Sequence, residues 1–251
     1  MGSLTWLGHA TAVLDLDGVR LLSDPVLTPW VGPLRNTASP PASDLLADVD
    51  AVLVTHVHRD HLDLRSLARL GSGTRVVVPR GSADLLDGRL TGHVDELDVG
   101  ESTRVGSLTV QATPAVHVAS RRWRRVPALG FLVSGATGSI YLAGDTDLFA
   151  GMAEIAAAVP GRLGAALLPV GGWGLTLGPG HLDPRRAALA ARVLRPRVAV
   201  PVHFGTLRIP ALWRLRPRLL SQPGLAFAQD VGDVAPDVEV RVLAPGGSVP
   251  F

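Results

Sequence analysis

Short apolar runs, several of them alternating with polar residues, recur along the chain and predict strands. Turn residues bound many of these runs, and Asp17-Gly18 is typical of a tight hairpin between two of them. Strands are predicted at Leu4–Leu7, Ala12–Leu16, Val19–Leu22, Ala51–Thr55, Arg75–Val78, Ser107–Ala112, Leu129–Val133, Ser139–Ala143, Ala165–Val170, Val198–Val202 and Val238–Leu243.

Helical spacing of apolar residues appears between some of these strands. Helices are predicted at Leu62–Leu70, Ala153–Val159, Pro184–Leu194 and Ala211–Leu220. Two stretches predict loops, because residues 24–41 are rich in Pro and residues 171–180 are rich in Gly. The mixture of strands and helices indicates a layered α/β fold.

Composition favours one domain over residues 1–251, because no change in composition divides the chain. The absence of Cys excludes disulfides and thiolate ligands, so any zinc site must use His and carboxylates, as catalytic sites commonly do. A net charge of +2 and the lack of a long basic insertion argue against nucleic acid as a partner. Neither a signal-peptide pattern nor an apolar run of about 18–20 residues is present, so we expect a soluble, cytoplasmic protein of undetermined oligomeric state.

The segment from Thr55 to His61 carries the sharpest chemical signal. Four potential metal ligands, His56, His58, Asp60 and His61, directly follow a buried apolar strand. In extended backbone His56 and His58 point to one side, and a turn into the next helix can direct the other two to a second centre. Imidazole and carboxylate suit zinc, and also manganese or iron. The alternative is a polar loop before a helix, but such a density of His favours a metal site.

This pattern matches the His-x-His-x-Asp-His signature and resembles the metallo-β-lactamase superfamily. The resemblance extends to His117 after Pro114-Ala115-Val116, to Asp145 in 144–146 and to His203 in 201–206. It implies a four-layer αββα sandwich, with the site at one edge between the sheets. It also implies two divalent metal ions, the first held by His56, His58 and His117, the second by Asp60, His61 and His203, and both by Asp145.

The chemistry implied by the resemblance is metal-dependent hydrolysis. Two metals about 3.5–4 Å apart share a hydroxide that attacks phosphorus or a carbonyl carbon, and the metals stabilise the developing oxyanion. Asp60 and Asp145 act in catalysis as well as in metal binding, Asp60 by orienting the nucleophile. A non-catalytic metal module is the competing class, but a purely structural site has no use for two open metal centres.

Further segments resemble the branch that holds L-ascorbate phosphate lactonase and N-acyl-phosphatidylethanolamine phospholipase D. These are 6–11, Ser23-Asp24-Pro25, 32–35 and 180–184, although Phe204 stands where the phospholipase has Trp and the loop 171–178 differs. We therefore expect a phosphodiester or another phosphate-bearing substrate, either a small molecule or lipid-like. Lactones or esters are the main alternative, a nuclease or nucleic-acid-binding protein is a further one, and the Asp-His pair in place of a Cys ligand argues against a β-lactam.

Four polar residues are expected near the metals with smaller or open roles. His181 either contacts the substrate and protonates the leaving group, or only supports the site by hydrogen bonding. His9 and Thr55 are expected to support the ligands by hydrogen bonds. Asp24 is expected to do the same, the alternative being a turn Asp before Pro25.

Arginines flank Trp123 shortly after His117. Arg121 and Arg122 are candidate substrate-binding residues, and the cluster also suits an anionic membrane surface, nucleic acid or simply a solvated loop. Trp173, in the Gly-rich loop, either shapes the mouth of the pocket or lies in a mobile loop.

Overall fold

A computed structural model describes residues 2–71, 73–86, 92–121, 123–174, 176–211 and 222–251. Two mixed sheets pack face to face in it, and helices cover their outer faces. This is the four-layer metallo-β-lactamase arrangement, so the predicted fold is confirmed.

Runs of strands are separated by short helices along the chain. The described strands are β1 (Ser3–Gly8), β2 (Thr11–Leu16), β3 (Val19–Ser23), β4 (Trp30–Val31), β5 (Leu34–Asn36), β6 (Ala51–Leu53), β7 (Val76–Pro79), β8 (Val94–Leu97), β9 (Ser102–Val105), β10 (Leu108–Arg121), β11 (Arg124–Ser134), β12 (Ser139–Leu142), β13 (Ala165–Pro169), β14 (Val198–Val202), β15 (Leu207–Arg208), β16 (Glu239–Val240) and β17 (Ser248–Pro250). The described helices are α1 (Leu64–Leu70), α2 (Ala83–Leu86), α3 (Met152–Ala157), α4 (Pro184–Leu194) and α5 (Gln222–Val234), with a 3-10 turn at Ser43–Leu45.

Each large sheet is antiparallel in one part and parallel in the other. The first has the order β17-β1-β2-β3-β6-β7-β8 and is parallel from β3 to β8. The second has the order β16-β14-β13-β12-β11-β10-β9 and is parallel from β12 to β16. A small sheet, β15-β5-β4, lies apart from both.

Burial on both faces explains why the central strands are almost wholly apolar. Along β6 and its continuation, Ala51 and Leu53 point into the core between the sheets, whereas Val52 and Val54 point to an outer core with α1 and α2. On the other side, α3, α4 and α5 pack against the second sheet and share its core. The parallel strands are thereby fixed from both faces, and their ends can hold polar groups rigidly.

Several predicted elements agree with the structure. The helix Pro184–Leu194 and the strand Val198–Val202 have the predicted bounds. Asp183 caps that helix by accepting a hydrogen bond from the Arg186 amide, and Pro184 occupies its first turn. Most of the predicted helix Ala211–Leu220 lies outside the described residues.

Other predictions were wrong or incomplete. The Pro-rich stretch 24–41 contains the short strands β4 and β5, which pair with each other and with β15. The hairpin of β10 and β11 is several residues longer than its apolar runs, because backbone pairing continues through Pro127 and the arginine-rich tip. Strands β8, β9 and β17 and helices α2 and α5 were not predicted. No described helix combines the length and the apolar character needed to cross a bilayer.

Candidate metal centre

The candidate ligands lie at the ends of strands on both sheets. His56 follows β6, Asp145 follows β12 and His203 follows β14. Each of these strands is parallel to at least one neighbour, and their carboxyl ends open at one edge of each sheet, where α/β proteins commonly bind ligands. His117 comes from β10, where the pairing with β11 shifts register between Pro114 and Val118. Such a bulge re-aims a side chain, here towards the same edge.

Three imidazoles form the first group. His56 Nε2 lies 3.0 Å from His58 Nδ1, and His117 Nε2 lies 3.2 Å from the same atom. Burial, as the largest cause, holds the pKa of His56 well below its ordinary value and lowers that of His117 to about 4. Both rings are therefore neutral near pH 7, the form in which imidazole binds metals.

A second group forms around Asp60, His61 and His203, with His9 beside them. Asp145 lies between the groups. One of its carboxylate oxygens is 3.7 Å from His56 Nε2 and 3.3 Å from His61 Nε2, and the other is 3.2 Å from His203 Nε2. This single carboxylate therefore faces donors of both groups.

Three buried polar atoms at the centre of this arrangement have no hydrogen-bond partner. They are His61 Nε2, Asp145 Oδ1 and His203 Nε2. They approach one another without the alignment of a hydrogen bond, and leaving them unsatisfied in a protein interior is costly. A cation among them would satisfy all three at once, and a set of imidazole and carboxylate donors suits a divalent transition metal. The residues thus fit the metal that the fold implies.

Hydrogen bonds hold the outward ring nitrogens of two candidate ligands, His117 and His203. His117 Nδ1 lies 3.0 Å from the Gly180 carbonyl, and His203 Nδ1 lies 2.8 Å from the Gly171 carbonyl. A carbonyl only accepts, so each Nδ1 carries the proton and each Nε2 keeps its lone pair for a metal. Sequence reasoning missed both carbonyls, although both belong to the Gly-rich loop. Gly180 has φ +77°, and a Cβ there would lie 2.9 Å from the Val116 carbonyl oxygen, so the loop comes this close because it has no side chain.

Asp24 supports His61 in the same way. Its carboxylate accepts hydrogen bonds from the Thr55 amide at 2.7 Å, from the Thr55 hydroxyl at 2.7 Å and from His61 Nδ1 at 2.9 Å. It is buried behind the ligands, so it orients His61 and leaves Nε2 to face the centre. Asp24 and Thr55 thus form a hydrogen-bonded pair behind the candidate ligand His61.

His9 contacts Asp60 from the other side. Its Nε2 lies 3.1 Å from Asp60 Oδ2, and the indole of Trp173 donates to the same oxygen at 3.1 Å. The backbone of His9 is fixed by Thr206, Trp6 and His203, since its amide donates to the Thr206 hydroxyl and its carbonyl accepts from the Trp6 indole and the His203 amide. Burial, as the largest cause, lowers the pKa of His9 to about 4.

Backbone strain also concentrates here. His9, Asp24 and His203 have φ of 50°, 37° and 64°, in the left-handed region that residues other than Gly rarely adopt. Such conformations cost about 1–3 kcal/mol each and persist only where the surroundings enforce them. Three such residues at one site indicate that the surrounding packing fixes their side chains in position.

Comparison with known proteins agrees with this geometry. Residues 19–204 match the family model described as a beta-lactamase superfamily domain. A UPF0173 metal-dependent hydrolase of Methanopyrus kandleri is 34% identical over 98% of this chain and 98% of its own length. Another, of Caldivirga maquilingensis, is 32% identical over 98% of this chain and 96% of its own.

The chain belongs to the UPF0173 metal-dependent hydrolases of the metallo-β-lactamase superfamily. Among solved structures, the metallo hydrolase Igni18 of Ignicoccus hospitalis is 27% identical, with a TM-score of 0.76 over 100% of this chain and 98% of its own. The protein is thus a metal-dependent hydrolase with buried His and Asp clusters that can hold metal.

His181 lies at the open side of the centre. Its Nε2 is 3.3 Å from Asp145 Oδ2, its Nδ1 is 3.1 Å from the Gly178 carbonyl oxygen, and about a fifth of its side chain (21%) is exposed. The hydrogen bond with Asp145, as the largest cause, raises its pKa. His117, Asp145 and His181 together also form a group that could hold a metal ion.

Trp173 and Arg121, two of the residues predicted to bind substrate, lie in different places, and Trp123 of the arginine cluster in a third. Trp173 reaches the centre through Asp60 and is 44% exposed, so it lies over the site. The guanidinium of Arg121 donates to the Leu62 carbonyl at 2.6 Å, and Leu62 directly follows the candidate ligand His61. Trp123 is fully exposed at the hairpin tip, away from these contacts. Arg122 lies outside the described residues.

Proposed function

We propose that this hydrolase binds two divalent metal ions, zinc or alternatively manganese or iron, and cleaves a phosphodiester or another phosphate-bearing substrate. His56, His58 and His117 would hold the first ion, Asp60, His61 and His203 the second, and Asp145 both. Asp145 supports this division, because its two oxygens face donors of both groups at 3.2–3.7 Å. When bound, such ions lower the pKa of a coordinated water and polarise the bond to be cleaved.

The side chains around the ions have separate tasks in this proposal. Asp24, His9 and the Gly-loop carbonyls hold the ligands in one orientation, so no reorganisation is needed during the reaction. Trp173 fixes the carboxylate of Asp60 and covers the second position from solvent. His181, at the open side, would give a proton to the departing oxygen of the substrate, the task of a general acid.

The observation that carries the phosphate assignment is positive charge beside His58. The guanidinium of Arg121 donates to the Val57 carbonyl, next to His58, at 3.4 Å and to the Leu62 carbonyl at 2.6 Å. A phosphodiester carries a negative charge that Arg binds strongly, whereas a neutral lactone gains nothing from it. The substrate can be a small molecule or lipid-like, and the segments that resemble the phospholipase branch support the same assignment.

A direct comparison of substrates tests this function. The metal-loaded protein would be assayed with bis(4-nitrophenyl) phosphate and with a neutral lactone of similar size, and Asp145→Asn would serve as the inactive control for both. We expect the higher kcat/KM for the phosphodiester. A clearly higher value for the lactone would contradict the phosphate assignment and favour the lactonase alternative.

A further inference from the structure

A cavity of about 340 Å³ adjoins the candidate metal-binding segment. Trp30, Arg59, Leu62, Asp63, Arg65 and Arg121 are among the residues that line it. We propose that this cavity, here called the arginine cavity, binds an anionic group that the substrate carries at a distance from the bond being cleaved. The inference rests on the proposed function for its link to a substrate, but binding at the cavity can be measured separately.

The charge of the arginine cavity is positive. Among the described residues, three guanidiniums line it and Asp63 is the one carboxylate. That carboxylate is engaged, because Asp63 Oδ2 accepts hydrogen bonds from the Thr28 hydroxyl at 2.8 Å and from the Ser66 hydroxyl at 2.6 Å. Among the described lining residues the guanidiniums thus outnumber the carboxylate three to one.

The position of the cavity connects it to the metal centre. Arg59 lies between the candidate ligands His58 and Asp60, and Arg121 follows Ser120, whose amide is 3.5 Å from a ring nitrogen of His58. The hydrogen bond from Arg121 to the Leu62 carbonyl ties the far end of β10 to the residue after His61. A substrate whose reacting group lies at the metals could therefore extend past His58 into the cavity.

The small sheet continues this positive surface. Trp30, which is 46% exposed, pairs with Arg35, and Arg35 pairs with Arg208. Residues directly opposite each other in antiparallel strands share a face, so both arginines lie on the face of Trp30. Burial, as the larger cause, and the nearness of Arg35 lower the pKa of Arg208. The two arginines extend the row of basic residues beyond the lining of the cavity.

The lining residues also define the chemistry of the occupant. Guanidiniums bind phosphate through paired, charge-assisted hydrogen bonds, and an exposed indole face packs against flat or apolar groups. The occupant expected is thus an organic phosphate, or an equivalent oxyanion, attached to a flat or apolar group. Inorganic phosphate alone would lose the contact with Trp30.

The experiment follows the tryptophan indole signals of the metal-loaded full chain by ¹H–¹⁵N NMR during titration with phenyl phosphate. Trp30 reports on the arginine cavity, and Trp173, hydrogen-bonded to Asp60, reports on the metal centre. Trp30→Phe and Trp173→Phe assign the two signals. The test variant is Arg59→Met with Arg65→Met. Arg192→Met is the matched control, because it removes an exposed charge in the last turn of α4, on the opposite sheet.

We expect a saturable shift of the Trp30 signal in the wild-type protein and in the Arg192 control. In the double variant the dissociation constant read from Trp30 should rise at least about tenfold, because two charge-assisted contacts are lost. An unmoved Trp30 signal, or equal constants in all three proteins, would overturn the inference. Trp173 reports on the metal centre separately. A response at Trp30 without phosphodiester turnover would therefore contradict the proposed function but still support an anion-binding site in the arginine cavity.

Discussion

Replacing Asp24 with Asn should switch the ring tautomer of His61 and weaken the second metal position. The Thr55 amide can only donate, so the Asn side chain must turn its carbonyl towards that amide. Its NH₂ group then takes the place of the oxygen that accepts from His61 Nδ1. Because Nδ1 must now accept, the proton of a neutral His61 moves to Nε2, the atom that faces Asp145.

The magnitude follows from the supporting role of this carboxylate. Loss of such a partner typically lowers metal affinity about 10–100-fold, which corresponds to about 1.4–2.7 kcal/mol. The first position should keep its metal, because Asp24 reaches its ligand His56 indirectly, through the Thr55 hydroxyl that lies 3.1 Å from His56 Nδ1. The metal-free variant should also lose about 1–3 kcal/mol of unfolding free energy, since a buried donor or acceptor is left poorly paired.

Chelator competition with elemental analysis measures the affinity of each position, and ¹⁵N NMR of the imidazoles identifies the tautomer. Asp183→Asn is the matched control, because Asn caps a helix as well as Asp does and Asp183 caps α4. Unchanged affinity at both positions in Asp24→Asn would refute the reasoning, as would loss of metal from the first position alone.

Three further substitutions address separate parts of the account. Asp145→Asn should lower the metal content at both positions and abolish hydrolysis, and retention of full activity with two metals would contradict its shared role. The His181→Gln variant should keep its metals, but its hydrolysis rate should fall most with substrates that have poor leaving groups. An equally large fall with substrates that release 4-nitrophenolate would argue against proton donation by His181. The Arg121→Met variant should have a higher KM for a phosphodiester and an unchanged metal content. An unaffected KM would indicate that Arg121 has a purely structural role.

The candidate metal-binding segment could be predicted because its residues lie close together in the sequence. Four candidate ligands lie within six positions after an apolar strand, and spacing alone indicates metal chemistry there. The same holds for α4, whose start is marked by Asp183 and Pro184. Both depend on neighbours in the chain, which is the information a single sequence carries.

The features that were missed depend on distant residues. Helix α5 contains Pro223 and Gly224 near its start and Gly232 near its end, which obscure its apolar spacing. The pairing of β5 with β15 joins positions about 170 residues apart, and the arginine cavity joins Trp30 to Arg59 and Arg121. No local pattern predicts such contacts, because packing of the two sheets creates them.

Metal analysis of the intact protein tests the central claim most directly. After supplementation with zinc, elemental analysis should give close to two ions per chain, and anomalous diffraction should place one among His56, His58 and His117 and the other among Asp60, His61 and His203, with Asp145 touching both. A chain that holds one ion or none after supplementation, or that holds its ions elsewhere, would contradict the two-metal account.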